Sequence, residues 1–252
     1  MPLELIRPRW NAAVAAAQST RLSGVSAAPF DSLNLGGSGD DPAAVRENRQ
    51  RFADALGATP VWLNQVHGAD VVRLDERAPH QPAPWADASF STTAGIACAV
   101  LVADCLPVLL CTNDGRAVAA AHAGWRGLAA GVLDNTVAAL CDAAACEPRE
   151  LLAWLGPCIG PRQFEVGADV LQAFGAEPSA LDPQRFLPRE RPDGSPRWLA
   201  NLPLLARDRL QRAGVRQISG GQWCTVEDRS RFFSFRRDGR TGRLAAAIAI
   251  PR

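Results

Sequence analysis

The chain has 252 residues, 47% of them apolar and 21% charged, and carries a formal net charge of +1. That length can bury a substantial core, and the composition is that of an ordinary globular protein. The near-neutral balance gives no field that would attract nucleic acid or an acidic membrane, and the absence of lysine excludes Schiff-base chemistry and leaves arginine forks or backbone amides to hold any anion.

In chain order, the opening segment Met1–Trp10 lacks the apolar core of a signal peptide, and no uncharged apolar run reaches membrane-spanning length. The first helix is expected over Pro42–Leu56, capped by Asp40 or Asp41, with Pro42 in its first turn and Gly57 at its end. Asn48 and Arg49 lie on it and could face a cleft. Val61–Val66 and Val71–Leu74 are short β-rich runs around His67-Gly68, and Arg77–Ser91 reads as a surface loop holding an exposed His80. Ile96–Ala103 and Val108–Thr112 are near-continuous apolar runs of strands covered on both faces, separated by Asp104-Cys105-Leu106-Pro107, where the proline is expected to break the ladder. Asn113-Asp114-Gly115 is a turn signal that makes a hairpin of Val108–Thr112 and Arg116–Ala121, with His122 at its end. A helix over Leu128–Ala145 follows, then a buried strand at Leu151–Leu155, short helices at Ala168–Phe174 and Leu204–Ala213, a charged surface excursion at Pro183–Pro196, and a last strand at Leu244–Ile250. There is no repeat, linker or shift in composition, so one domain over residues 1–252 is the simpler expectation. Its class is α/β (α+β), with mixed central sheet layers flanked by helices.

Chemistry concentrates at the polar, glycine-punctuated breaks. Two of the three histidines, His67 and His122, fall there, and so does Cys105. Two imidazoles and a thiolate suit zinc and leave a fourth tetrahedral position free, the pattern of a catalytic rather than a closed structural site. The competing reading of any one of them is a packed side chain. Without metal, a thiol beside a histidine is a nucleophile pair. Cys158 or Cys224 could supply a fourth ligand and make the zinc structural. Seven scattered cysteines do not form a disulfide framework, so reduced thiols and a cytoplasmic setting are expected. Anion binding is expected from Arg126 at the turn after His122, from Arg49, and from Arg236 and Arg237, which open a run with four arginines in eight positions, Arg236–Arg243. A solvated turn is the plainer account of that run. Glu165 is a candidate acid–base group.

Taken together, Asn34-Leu35-Gly36, Asn48-Arg49, Gln65-Val66-His67-Gly68, Ala103-Asp104-Cys105, His122-Ala123-Gly124-Trp125-Arg126-Gly127, Gly156-Pro157-Cys158-Ile159-Gly160 and Arg236–Arg243 resemble the laccase-domain, or multicopper polyphenol oxidase, family. Its bacterial members also carry the names purine nucleoside phosphorylase and peptidoglycan editing factor. The resemblance runs from Gly24 to Arg243. It implies a catalytic zinc on His67, Cys105 and His122, with copper as a possible substitute. It also implies phosphorolysis of adenosine, inosine, guanosine and methylthioadenosine, and deamination of adenosine. The partners implied are purine nucleosides and phosphate, with the chain as a monomer or small homo-oligomer. Phe235 and Asn201 depart from the family pattern, which has a tyrosine and an aspartate there. A multicopper oxidase would need far more than three histidines. An amidase editing peptidoglycan precursors through the same Cys/His/zinc group is the alternative from another enzyme class.

Overall fold

Strands that are apolar on both sides need cover on both faces, and two stacked sheets between helices provide it. The structure, a computed structural model, describes residues 2–252. One sheet has six strands in the spatial order Gln217–Gly220, Leu151–Leu155, Leu106–Thr112, Val118–Ala123, Ala88–Ser91, Val71–Leu74. The other has five, in the order Leu5–Ile6, Ala15–Ser19, Leu244–Ala249, Ile96–Val102, Thr59–Val61. Leu109, Cys111, Val118 and Trp154 of the first meet Cys98, Val100, Ala246 and Ile248 of the second in a shared core. The strand period of two turns Val108, Leu110, Ala119 and Ala121 the opposite way, onto the helices Val132–Ala144 and Leu202–Arg212. On the far side, Ala17, Ala97, Ala245 and Ala247 lie under Phe52 and Leu56 of the helix Pro42–Leu56. The mixed α/β class is as expected, arranged as helix, sheet, sheet, helices. A small sheet of Glu165–Val166, Arg197–Ala200 and Phe186–Arg189 packs beside the second helical layer.

Several local expectations are corrected. The first β-rich run, Val61–Val66, shares only Val61 with a strand, which is Thr59–Val61. Beyond it the Gln65 side chain replaces the ladder, accepting from the Leu101 amide at 2.7 Å and donating to its carbonyl at 2.9 Å. Pro107 does not break its strand, which runs from Leu106 with Pro107 opposite His122; the missing N–H falls at the second residue, where the ladder is only beginning. The hairpin partner reaches Ala123, so His122 lies inside a strand. The helix expected over Leu128–Ala145 is two, Trp125–Ala130 and Val132–Ala144, broken where Gly131 adopts φ 97°. The supposed surface loop contains the strand Ala88–Ser91, mostly buried between two neighbours. Within the charged excursion, Phe186–Arg189 pairs with Arg197–Ala200. Asn201 caps the helix after it, accepting from the Leu204 amide at 3.1 Å, a role asparagine fills as well as aspartate.

Candidate metal centre

The strand register carries three distant segments to one end of the six-stranded sheet. His122 is the penultimate residue of Val118–Ala123, Cys105 immediately precedes Leu106–Thr112, and Asp87 immediately precedes Ala88–Ser91, the strand on the other side of His122. His67 sits in the turn before Val71–Leu74. The ligand atoms of His67, Cys105 and His122 all lie within 4.8 Å of one another. Cys105 Sγ is 3.8 Å from His67 Nε2, and the two imidazole rings meet edge-on with centroids 4.8 Å apart. Around a tetrahedral zinc such donors would stand about 3.5 Å apart, so the group fits a single ion after small side-chain adjustments. His122 is buried, Cys105 half-buried and His67 exposed, so the group opens to one side only. Cys158 and Cys224 do not join it; they pair with each other through a backbone bridge, and the Cys224 sulfur accepts from the Gly160 amide. The possible fourth protein ligand from either is therefore not formed.

Asp87, inside the segment read as loop, organises this centre. Its side chain is fully buried. Oδ1 accepts from His122 Nδ1 at 2.7 Å and from the His67 amide at 2.9 Å. Oδ2 accepts from the Gly68 amide at 2.7 Å and the Val66 amide at 3.0 Å. A carboxylate can only accept, so Nδ1 of His122 carries the proton and Nε2 is left to face a metal. The three amides also hold His67 at φ 62°, an uncommon conformation for a residue with a side chain. Burial alone would raise the Asp87 carboxyl, but His122 and the amides of Gly68 and Val66 outweigh it and hold it below the ordinary carboxylate range.

Electrostatics separate Cys105 from the other thiols. Burial pushes Cys98 and Cys111 up to about 12. Burial acts on Cys105 in the same direction, but the imidazoles of His122 and His67 prevail and bring it down to about 6. Burial likewise works against charge on His122, yet Asp87 and Cys105 push its ring up to about 9. The two opposed shifts favour charge separation, a thiolate on Cys105 beside a protonated His122. A metal would replace the His122 proton that faces the sulfur.

Asp104, whose role no local sequence signal announces, fixes the Cys105 turn. Its backbone stands at φ 93°, and its carboxylate accepts from Thr225 Oγ1 and from the Arg236 amide, both at 2.6 Å. Gly127 closes the other side. A Cβ there would lie 2.6 Å from the Gly68 carbonyl oxygen, so the helix Trp125–Ala130 can pack on the His67 turn only with glycine at that position. Gly127→Ala is expected to cost about 1–3 kcal/mol, read by urea unfolding, and to weaken metal binding by moving that turn. An alanine variant with unchanged stability and metal affinity would remove this contact from the account.

The ligand group lies in the wall of a cavity of about 710 Å³, a size usual for small-molecule sites. The same cavity is lined by Trp85 and Phe235, which expose 72% and 59% of their surface. The four arginines expected to bind anion do not line it. Arg49 donates to the Leu35 carbonyl at 2.9 Å and stacks 4.5 Å from the Trp62 ring centre, while its neighbour Asn48 is buried in hydrogen bonds to Ser26, Ser32 and Asn34. Arg126 is exposed and folds back over Trp125. Arg236 reaches the Glu165 carbonyl, and Arg237 is consumed by Asp238 and the carbonyls of Thr225, Val226 and Phe232. The arginines that do line the cavity are Arg240 and Arg243, from the same run. Glu165 is paired with Arg189 and Arg191 outside the cavity, and His80 is exposed on a short turn.

The layers and the centre together define an α/β protein in which, among the described residues, one His/Cys/His group that could hold a metal ion lies in an aromatic-lined cavity. The chain belongs to the multi-copper polyphenol oxidoreductase laccase family, whose model matches residues 15–251. Purine nucleoside phosphorylase YfiH of Escherichia coli K12 is 50% identical over 250 residues, covering 97% of this chain and 98% of that protein. Purine nucleoside phosphorylase PA4543 of Pseudomonas aeruginosa is 49% identical over 246 residues, covering 96% and 97%. Among solved structures, protein NMB0706 of Neisseria meningitidis superposes with a TM-score of 0.88 at 45% identity, covering both chains fully. YlmD of Geobacillus stearothermophilus does so with a TM-score of 0.88 at 30% identity, covering 100% of this chain and 99% of that one. No helix among the described residues is long and apolar enough to cross a membrane.

Proposed function

We propose that this chain, one functional unit over residues 1–252, is a zinc-dependent purine nucleoside phosphorylase. It cleaves adenosine, inosine, guanosine and methylthioadenosine and also deaminates adenosine to inosine. The observation that carries the reading is a single cavity that combines three converging metal ligands with two exposed aromatic faces. The names of relatives up to 50% identical over nearly the whole chain support the reaction. His67, Cys105 and His122 would hold the metal. Two imidazoles and a thiolate favour zinc, and copper could substitute on the same donors. When bound, the ion supplies Lewis acidity at the cavity wall. Asp87 keeps His122 Nε2 aimed inward, and the His67 turn is locked by the same carboxylate. Trp85 and Phe235 offer faces on which a purine can stack. In phosphorolysis a phosphate oxygen bonds to C1′ of the sugar as the C1′–N9 bond breaks. The phosphate's proton ends on the purine, and the products are sugar 1-phosphate and free base. We place the protein in the cytoplasm, as a monomer or small homo-oligomer.

The test combines metal analysis with an adenosine assay run with and without phosphate. About one zinc per chain and negligible copper are expected. Adenine release should require phosphate, whereas inosine formation should not. Absence of turnover with every nucleoside, in zinc-replete protein, would overturn the reading.

A further inference from the structure

We propose that Arg243 and the Gly36–Gly39 loop form the oxyanion site of the cavity, and that this site seats inorganic phosphate beside the metal ligands. The inference rests on the phosphorylase reading for its choice of anion, but its geometry stands apart from it. Arg243 is anchored at both ends of its backbone: its amide donates to Asn34 Oδ1 at 2.8 Å and its carbonyl accepts from the Leu35 amide at 3.0 Å. The side-chain stem then crosses Gly36, where a Cβ would stand 2.6 Å from Arg243 Cγ. Glycine at position 36 is therefore what lets the stem enter the cavity.

The guanidinium is half-buried and lacks a carboxylate partner among the described residues. Nη1 donates to the carbonyls of Thr241 and Gly242, both at 3.2 Å, and Nε and Nη2 have no acceptor among the described residues. The Phe235 ring centre lies 5.9 Å from Cζ. Burial pulls the group below its ordinary arginine value, opposed only by the more distant charges of Cys105 and Asp104. Both of those charges have other work: Asp104 is held by Thr225 and the Arg236 amide, and the Cys105 sulfur belongs to the group that would hold the metal. A part-buried cation with two unused donors is costly to keep unless a ligand supplies the missing charge. Arg237 and Arg21 are paired with Asp238 and Asp31, whereas Arg49, also half-buried without a carboxylate among the described residues, stacks on Trp62 and does not line the cavity.

A second observation points to the same ligand. Gly36, Gly37, Ser38 and Gly39 line the cavity together with Arg243, and the amides of Gly37, Ser38 and Gly39 make no hydrogen bond among the described residues. Successive free amides in a glycine-rich loop form a concavity suited to an anion. Arg240 steadies this loop through the Gly39 carbonyl at 2.9 Å. Asn34 serves both parts, because its Oδ1 accepts from the amides of Gly36 and Arg243 alike. A fork plus free amides matches a tetrahedral oxyanion, which presents several acceptor oxygens at once.

The test titrates inorganic phosphate into zinc-loaded protein by calorimetry, alongside initial rates at varied phosphate and saturating inosine. Arg243→Gln should raise the phosphate Kd and the phosphate KM by roughly 10- to 100-fold, while zinc content stays as in the parent. The KM for inosine should hold within about threefold, since the change removes anion contacts and not the aromatic faces. Arg243→Lys keeps the stem across Gly36 and the charge but loses the fork, and should fall between the two; it also serves if the glutamine variant fails to fold. Parental phosphate affinity in both variants would overturn the site and leave phosphorolysis standing. Failure of the zinc-loaded parent to bind phosphate would overturn it too. Phosphate bound through Arg243 without any base release would uphold the site and count against the phosphorylase reading alone.

Discussion

Replacing Cys105 by alanine is expected to remove the bound metal and to lower nucleoside turnover by at least ~1,000-fold, because the Lewis acid is worth several kcal/mol to the reaction. The fold should survive. Cys105 is half-buried, its sulfur contacts the histidine group, and the turn that carries it is held by the Asp104 carboxylate rather than by the thiol. Any fall in melting temperature should therefore be the share contributed by metal binding, and chelation of the parent protein should reproduce it. Serine is the sharper control, since its hydroxyl keeps the shape but does not ionise as the thiol does at about 6. Metal content by elemental analysis, circular dichroism and nucleoside turnover together decide the matter. A Cys105→Ala protein that keeps both its zinc and full turnover would remove the centre from the mechanism.

What could be read from the chain follows from where each residue's position is decided. Histidine is scarce here: His67 stands at a polar break beside Gly68, His122 two residues before Gly124 near the end of an apolar run, and Cys105 beside Asp104. Rarity in such a setting is a local signal, and the three converge in space. The helix Pro42–Leu56 was equally legible, because Asp41 and Gly57 end it by local hydrogen bonds. The arginines were not. A guanidinium sits at the end of a long flexible stem, and which way it points depends on distant partners such as Leu35 for Arg49 or Glu165 for Arg236. Within one run, Arg237 became a structural hub while Arg243 entered the cavity.

Two strands that the sequence does not announce share a cause. Apart from Phe90, Ala15–Ser19 and Ala88–Ser91 are made of small and polar residues with little β preference, yet each lies between two pairing neighbours. Their side chains are small because helices and sheets press close on them: Ala17 faces the layer under Phe52, and Ala88 the layer holding Leu128 and Val132. Periodicity of large apolar residues cannot reveal a strand that is selected for thinness. Asp87 was hidden by the same effect. Next to Ala86 and Ala88 it looks like a loop acid, and only the pairing of Ala88 with Ala121 brings it beside His122.

Asp87→Asn is expected to weaken zinc binding by about 10- to 100-fold, the usual consequence of disturbing the group behind a ligating histidine. It should also destabilise the protein by about 1–4 kcal/mol, the cost of one or two buried bonds lost without replacement, depending on how the amide turns. The reason is that both carboxylate oxygens are in double use. Oδ1 serves His122 Nδ1 and the His67 amide, and Oδ2 serves the amides of Val66 and Gly68. An asparagine has one oxygen, so whichever way its amide turns, its NH2 faces two groups that are themselves donors. With the NH2 toward His122, the ring must carry its proton on Nε2, the nitrogen a metal needs. With it toward Val66 and Gly68, the turn holding His67 at φ 62° loses its anchor. Either arrangement takes one ligand out of place. Asp87→Ala abandons all four bonds and should fall further in stability, so a graded loss from asparagine to alanine in urea unfolding is the expected series. Zinc affinity measured by competition with a chelator separates the two effects. If Asp87→Asn kept the parental zinc affinity while losing stability, Asp87 would be a support of the fold, and His122 would be oriented by something else.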